Sequence, residues 1–108
     1  MIPPVKMLSI YVDETDLWDT LPLYEAIVRR LRQLGVAGAT VQSGVMGFGS
    51  HGHVHHKHLF GIADDKPMII TVVDNEGAIR AALPEIRSMV REGLMLLQDV
   101  EQVDLAEE

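Results

Sequence analysis

The chain contains no cysteine, which excludes disulfide staples, thiolate metal sites and cysteine nucleophiles together. Any bound metal must use histidine, carboxylate or backbone oxygen. Aromatic residues make up only 5% of the 108 residues, with a single tryptophan, so the core has to be built from aliphatic side chains and methionine. No apolar run reaches the roughly 18 residues that span a bilayer, and the N-terminus lacks the basic-then-apolar order of a secretion signal. A cytoplasmic protein without direct membrane insertion is expected. Basic residues are scarce as well: 9 Lys and Arg face 16 Asp and Glu, a formal charge of −7. Affinity for phosphate backbones comes mainly from Lys and Arg, so this balance argues against nucleic acid as a partner.

Apolar residues are plentiful at 47%, and a chain of this length buries about two-thirds of its unfolded surface on folding. Residues 1–108 are expected to form a single domain. Val5 to Val12 is a short β-prone run that is apolar on both faces. Asp13, Glu14, Asp16 and Asp19 follow as an acidic turn, with Trp18 expected as a lid over the start of a helix. Thr20 is a plausible N-cap, and Pro22 falls in the first turn, where its missing N–H does little harm. Tyr24, Ile27, Val28 and Leu31 then recur with helical period, Glu25 and Arg29 form an i, i+4 pair, and Gly35 suits the left-handed position that ends a helix.

Gly38-Ala39-Thr40-Val41 has the two-residue period of a strand, which Gly47-Phe48-Gly49 stops. Met68 to Val73 is a nearly continuous apolar strand. Asp74 or Asn75 can cap a second helix with the stripe Ile79, Ala82, Leu83, Ile86 and Val90, which Pro84 should kink or split and Gly93 should close. Leu94 to Val103 supplies the last strand, and the acidic tail from Asp104 to Glu108 is expected to fray. The order β-α-β-β-α-β predicts an α+β, ferredoxin-like fold, an antiparallel sheet with both helices on one face. Its central strands are the two that are apolar on both sides. The uncovered face therefore needs a partner, most economically another subunit.

All five histidines lie between Ser50 and Asp65, at positions 51, 53, 55, 56 and 58. If the segment is extended, His51, His53 and His55 share one face and His56 and His58 the other, a pattern able to chelate Zn, Cu or Ni. Incidental metal affinity is the plainer reading of the same residues. No carboxylate lies among the histidines to act as a base, and HExxH, GxSxG and P-loop motifs are all absent, so no catalytic constellation emerges and the chain is not expected to be an enzyme. Gly47-Phe48-Gly49-Ser50-His51-Gly52 reads as GxGxxG, but a glycine-interrupted arm follows it where a helix should open. A plain flexible loop and a hinge bare enough to approach a phosphate both remain open.

Several of these stretches carry a resemblance. Gly38-Ala39-Thr40-Val41, Gly47-Phe48-Gly49 and the long arm after them resemble the PII signalling proteins. The match is closer to a PII-like family of unknown function, through Leu23-Tyr24-Glu25-Ala26-Ile27-Val28, Gly35 to Val41, Pro67 and Glu92-Gly93-Leu94, over residues 5 to 103. The resemblance implies a non-catalytic signalling or nitrogen regulatory-type protein, a homotrimer that binds an adenine nucleotide in clefts between subunits. Residues 50 to 65 would be its T-loop, the arm that engages a membrane transporter or enzyme. The implied ligand-binding set is Thr40, Gly47, Phe48, Gly49, Arg91 and Gly93. The Gly-Asp-Gly-Lys type of phosphate loop is reduced here to Arg91-Glu92-Gly93, so AMP, cyclic AMP or ADP, or no nucleotide at all, is expected rather than ATP. Two rivals stand beside this reading. One is a metal-binding protein similar to the CutA group, using His51, His53, His55, His56 and His58; the other is a structural interaction module.

Overall fold

The computed structural model describes residues 4–48 and 66–106. Strand β1 (Val5–Asp13) is followed by two-residue strands β2 (Leu17–Trp18) and β3 (Leu21–Pro22), helix α1 (Leu23–Gln33) and strand β4 (Ala39–Ser43). Strand β5 (Pro67–Asn75), helix α2 (Glu76–Met89) and strand β6 (Leu94–Val100) complete the order. β2 and β3 pair as a small hairpin; the four long strands form one sheet in the order β4-β5-β1-β6, antiparallel throughout. Without the hairpin the order is β-α-β-β-α-β, and the fold is the ferredoxin-like α+β sandwich.

Alternation along the strands sorts the sheet into two faces. Leu8, Ile10 and Val12 of β1 and Met68, Ile70 and Val72 of β5 are buried with Leu23, Ala26, Ile27 and Leu31 of α1 and Ile79, Ala82, Ile86 and Met89 of α2 in one core. Met7, Ser9 and Tyr11 of β1, Ile69, Thr71 and Val73 of β5, and Leu94 and Leu96 of β6 take the opposite face, which no helix among the described residues covers.

α1 ends in a complete Schellman motif: Val36 N donates to Leu31 O (3.4 Å), Gly35 N donates to Arg32 O (3.1 Å), and Gly35 has φ +84°. Its start differs from expectation. Pro22 precedes the helix with no side-chain cap, and Leu23 N donates instead to the backbone oxygen of Asp16 at 2.8 Å. Thr20 belongs to the hairpin turn rather than to a cap, because Asp13, Asp16 and the left-handed Asp19 (φ 59°) fold residues 13–22 back on themselves.

At α2 the expected cap forms, the Asn75 side chain accepting from Ala78 N at 2.8 Å. Pro84 does not split the helix, which runs from Glu76 to Met89 with apolar residues anchored in the core on both sides of the proline. Gly93 does not close it either. The helix is capped at Val90, and Gly93 instead lies where a Cβ would sit 2.4 Å from the Tyr11 backbone oxygen. β6 stops at Val100, three residues short of the expected end, and residues 101–106 have no regular structure.

Candidate functional site

One end of the sandwich collects the chain's irregular segments. β4 runs out there at Ser43, β5 begins at Pro67, β1 ends at Asp13, and the turn from α2 enters β6. The two sides of the arm are clamped at its root. Ser43 pairs with Met68, and Gly44 N donates to Pro67 O at 2.7 Å. A Cβ on Gly44 would lie 2.6 Å from Pro67 Cγ, and one on Gly47 would lie 3.3 Å from the same atom, so small residues let the root close against the proline ring. Lys66 is tied in as well, its carbonyl accepting from Glu14 N at 3.0 Å. Beyond this clamp Val45, Met46 and Phe48 are exposed, Phe48 at 99%.

The residues of the expected ligand set divide into two groups. Thr40 is an exposed position of the edge strand β4, in register with Thr71 and through it with Ser9 and Leu96 across the whole sheet. Gly47 and Phe48 continue from that edge. Arg91 and Gly93 occupy the turn into β6, the opposite edge. Two strands separate the groups, and three inter-strand steps of about 4.8 Å put β4 and β6 roughly 14 Å apart. One chain does not bring them together. Gly49 and His51, His53, His55, His56 and His58 lie outside the described residues, and among the described residues no group of three or more His, Asp or Glu side chains is arranged to hold a metal ion.

Arg91 also lines a cavity of about 590 Å³ between the β2–β3 hairpin and the α2–β6 turn, together with Trp18, Leu23 and Met89. Trp18 thus stands near the start of α1, as expected of a lid. The hairpin that carries it was not foreseen, since two-residue strands are too short to show a period. Nor was the Gly44–Pro67 clamp. A glycine just past an alternating run and a proline just before an apolar one were its signals, but neither names the other as its partner.

Away from this end, ion pairs lock the helix layer. Arg30 Nε donates to Glu85 Oε2 at 2.8 Å, joining α1 to α2, and Arg80 Nε donates to Glu76 Oε2 at 2.7 Å. The hydrogen bond from Arg30 holds the Glu85 carboxyl below its ordinary range, as that from Arg80, helped by the nearby Lys6 charge, does for Glu76. Lys6 pairs with Asp99 across β1 and β6 and lowers that carboxyl in the same way.

The model of the DUF190 family, described as Uncharacterized ACR, COG1993, matches residues 5–102. A UPF0166 protein of Aquifex aeolicus is 30% identical over 100 residues, covering 93% of this chain and 94% of that protein. The UPF0166 protein MJ1524 of Methanocaldococcus jannaschii is 34% identical over 95 residues, 87% of each chain. Among solved structures, CPII from Thiomonas intermedia K12 bound to ADP, AMP and acetate superposes with a TM-score of 0.67 at 21% identity, covering 94% of this chain and 91% of that one. The same protein bound to ADP and bicarbonate gives a TM-score of 0.64 at 23% identity, covering 90% and 86%. These likenesses establish a PII-like fold.

Proposed function

The chain belongs to the DUF190 family, and from that membership and the geometry above we propose that it is a non-catalytic PII-like regulator. It is a single PII-like domain that works in the cytoplasm as a homotrimer. An adenine nucleotide occupies each cleft between subunits, and the arm at 50–65 passes the bound state to a membrane transporter or an enzyme.

The observation that carries this reading is the division of the ligand set between opposite edges of one sheet. Thr40, Gly47, Phe48 and Gly49 at the β4 edge meet Arg91 and Gly93 only when a second copy supplies the other half. An intersubunit cleft is the arrangement that lets both halves act on one ligand. The apolar open face of the sheet gives the copies a reason to associate. Glycines at the arm root allow backbone N–H groups to approach a ligand closely, while Arg91 is the cation of the β6 edge. A phosphate grip reduced to Arg91-Glu92-Gly93 at that edge suits AMP, cyclic AMP or ADP better than ATP. The similarity to CPII, whose structures hold ADP and AMP, points to the same ligand class.

Thermal melting of untagged, metal-stripped protein with AMP, cyclic AMP, ADP and ATP, each alone, tests the proposal. A ligand at about 100 times its dissociation constant adds roughly 2.7 kcal/mol, several degrees of melting temperature for a domain this size. The shift is expected with a mono- or diphosphate and is expected to shrink in Arg91→Ala. If no adenine nucleotide raises the melting temperature at millimolar concentration, the nucleotide reading is wrong. A shift with zinc, copper or nickel alone would move the function to the histidines of the arm.

A further inference from the structure

The cavity beside the hairpin is on the helix side of the sheet's end, whereas Thr40 lies on the open face, and its lining does not match a phosphate ligand. Its floor is apolar, made by the buried Leu23 at the first turn of α1 and the buried Met89 at the last turn of α2. Its wall is the hairpin. Leu17 and Trp18 stand there with 66% and 41% of their surface exposed, beside a floor whose own residues are buried. An indole left half in water over an apolar floor is costly unless something covers it.

At about 590 Å³ the space falls within the range of small-molecule sites, which combine an apolar lining with a few polar groups. Here those groups are Asp16, Asp19 and Glu92 against Arg91. Even with Glu92 left out of the count, Asp16 and Asp19 outnumber the one guanidinium, which opposes phosphate and favours a positive ligand. The indole face has the same preference, because its quadrupole attracts ammonium and guanidinium groups. Asp16 is held in place by accepting from Asp13 N at 3.0 Å through Oδ2, so one carboxylate of the rim is fixed before any ligand arrives.

We propose that this cavity binds a small organic cation, an amine or guanidine with an apolar body, stacked on Trp18 with its charge between Asp16 and Asp19. Such a site takes a ligand of opposite charge to the nucleotide. Its position ties the hairpin to the Arg91 turn, so cation binding and nucleotide binding share one structural element.

Trp18 is the only tryptophan in the chain, so its fluorescence reports on the site directly. Titration with agmatine, spermidine and tetramethylammonium, at constant ionic strength set with sodium chloride, is expected to change the emission saturably for at least one of the three. Asp19→Asn keeps the shape and suits the left-handed backbone there; it is expected to weaken binding by about tenfold, the scale of a lost charge-assisted contact. Calorimetry should show a similar loss in Trp18→Leu and a smaller one in Trp18→Phe, which keeps an aromatic face. A linear response equal to that of sodium chloride, or unchanged affinity in Asp19→Asn, overturns the proposal. So does a saturable response of the wild type to AMP or inorganic phosphate with none to the cations. Should Trp18→Leu fail to fold, Asp19→Asn still decides.

Discussion

Gly93 and Gly38 are both glycines at the edge of an element, yet they differ in what surrounds them. A Cβ on Gly93 would meet the Tyr11 backbone oxygen at 2.4 Å and Val90 Cγ1 at 3.1 Å, whereas one on Gly38 would meet nothing within 4 Å. The oxygen belongs to the central strand and cannot move aside without disturbing the sheet. Gly93→Ala is therefore expected to destabilise the fold by about 1–3 kcal/mol, through overpacking against backbone. Gly38→Ala should stay within about 0.5 kcal/mol and can even stabilise by restricting the unfolded chain. Chemical denaturation of the two variants side by side checks both; equal stabilities would show that the turn relaxes freely. The sequence signals for Gly93 and Gly35 are alike, because a glycine after an apolar helical run reads the same whether it caps the helix or lets a neighbouring strand approach. Only the pairing of β6 with β1 separates the two roles, and that pairing is a long-range fact.

Elements whose signals are local were legible. The period-3.6 stripes on α1 and α2 and the apolar runs of β1 and β5 each place their own side chains, and Gly35 and Asn75 work through hydrogen bonds to their immediate neighbours. The hairpin was not, since Thr20 and Pro22 imitate a helix start while the true start is held by the Asp16 carbonyl. What joins the elements is again long-range: the Arg30–Glu85 pair links α1 to α2, and Lys6–Asp99 links β1 to β6. The carboxyls of Glu85 and Asp99 are held below their ordinary range by these partners, and that of Glu76 by Arg80 within α2 and then by Lys6. A group whose folded pKa is depressed stabilises the fold above its unfolded pKa, and that stabilisation is lost as pH falls through the folded value. Melting temperature is expected to be level from neutral pH down to about 5 as far as these groups decide it, then to fall from about pH 4 downward. All three carboxyls are solvated, so the effect is small and weakens with salt. Glu85→Gln should flatten part of the acid limb; an acid limb unchanged in that variant would show that the helix pair contributes nothing measurable.

At the scale of the molecule, the sheet is lopsided. Its helix face is sealed by two amphipathic helices, while its other face carries Met7, Tyr11, Ile69, Val73, Leu94 and Leu96 with no layer over them among the described residues. Antiparallel sheets with one solvated face ordinarily alternate apolar with polar residues. Here Gln42 and Gln98 stand on the edge strands, and the polar residues Thr40, Thr71 and Ser9 form a row in register across the sheet, with Ser9 buried even in the single chain. Apolar patches flanking a row of hydroxyls give another copy both area to bury and directional groups to set its orientation. Val73 and Leu96 are 39% and 41% exposed, so replacing them should leave the core intact and remove the drive to associate. Light scattering after size exclusion is expected to give three times the chain mass for the wild type and the chain mass for Val73→Lys with Leu96→Lys, with far-ultraviolet circular dichroism unchanged. Because the two halves of the ligand set lie on opposite sheet edges, the monomeric variant should also lose the nucleotide-dependent rise in melting temperature. It should keep the cation response of Trp18, whose cavity is formed within one chain. A wild type that runs as a monomer, or a double variant that stays trimeric, would remove the sheet as the interface.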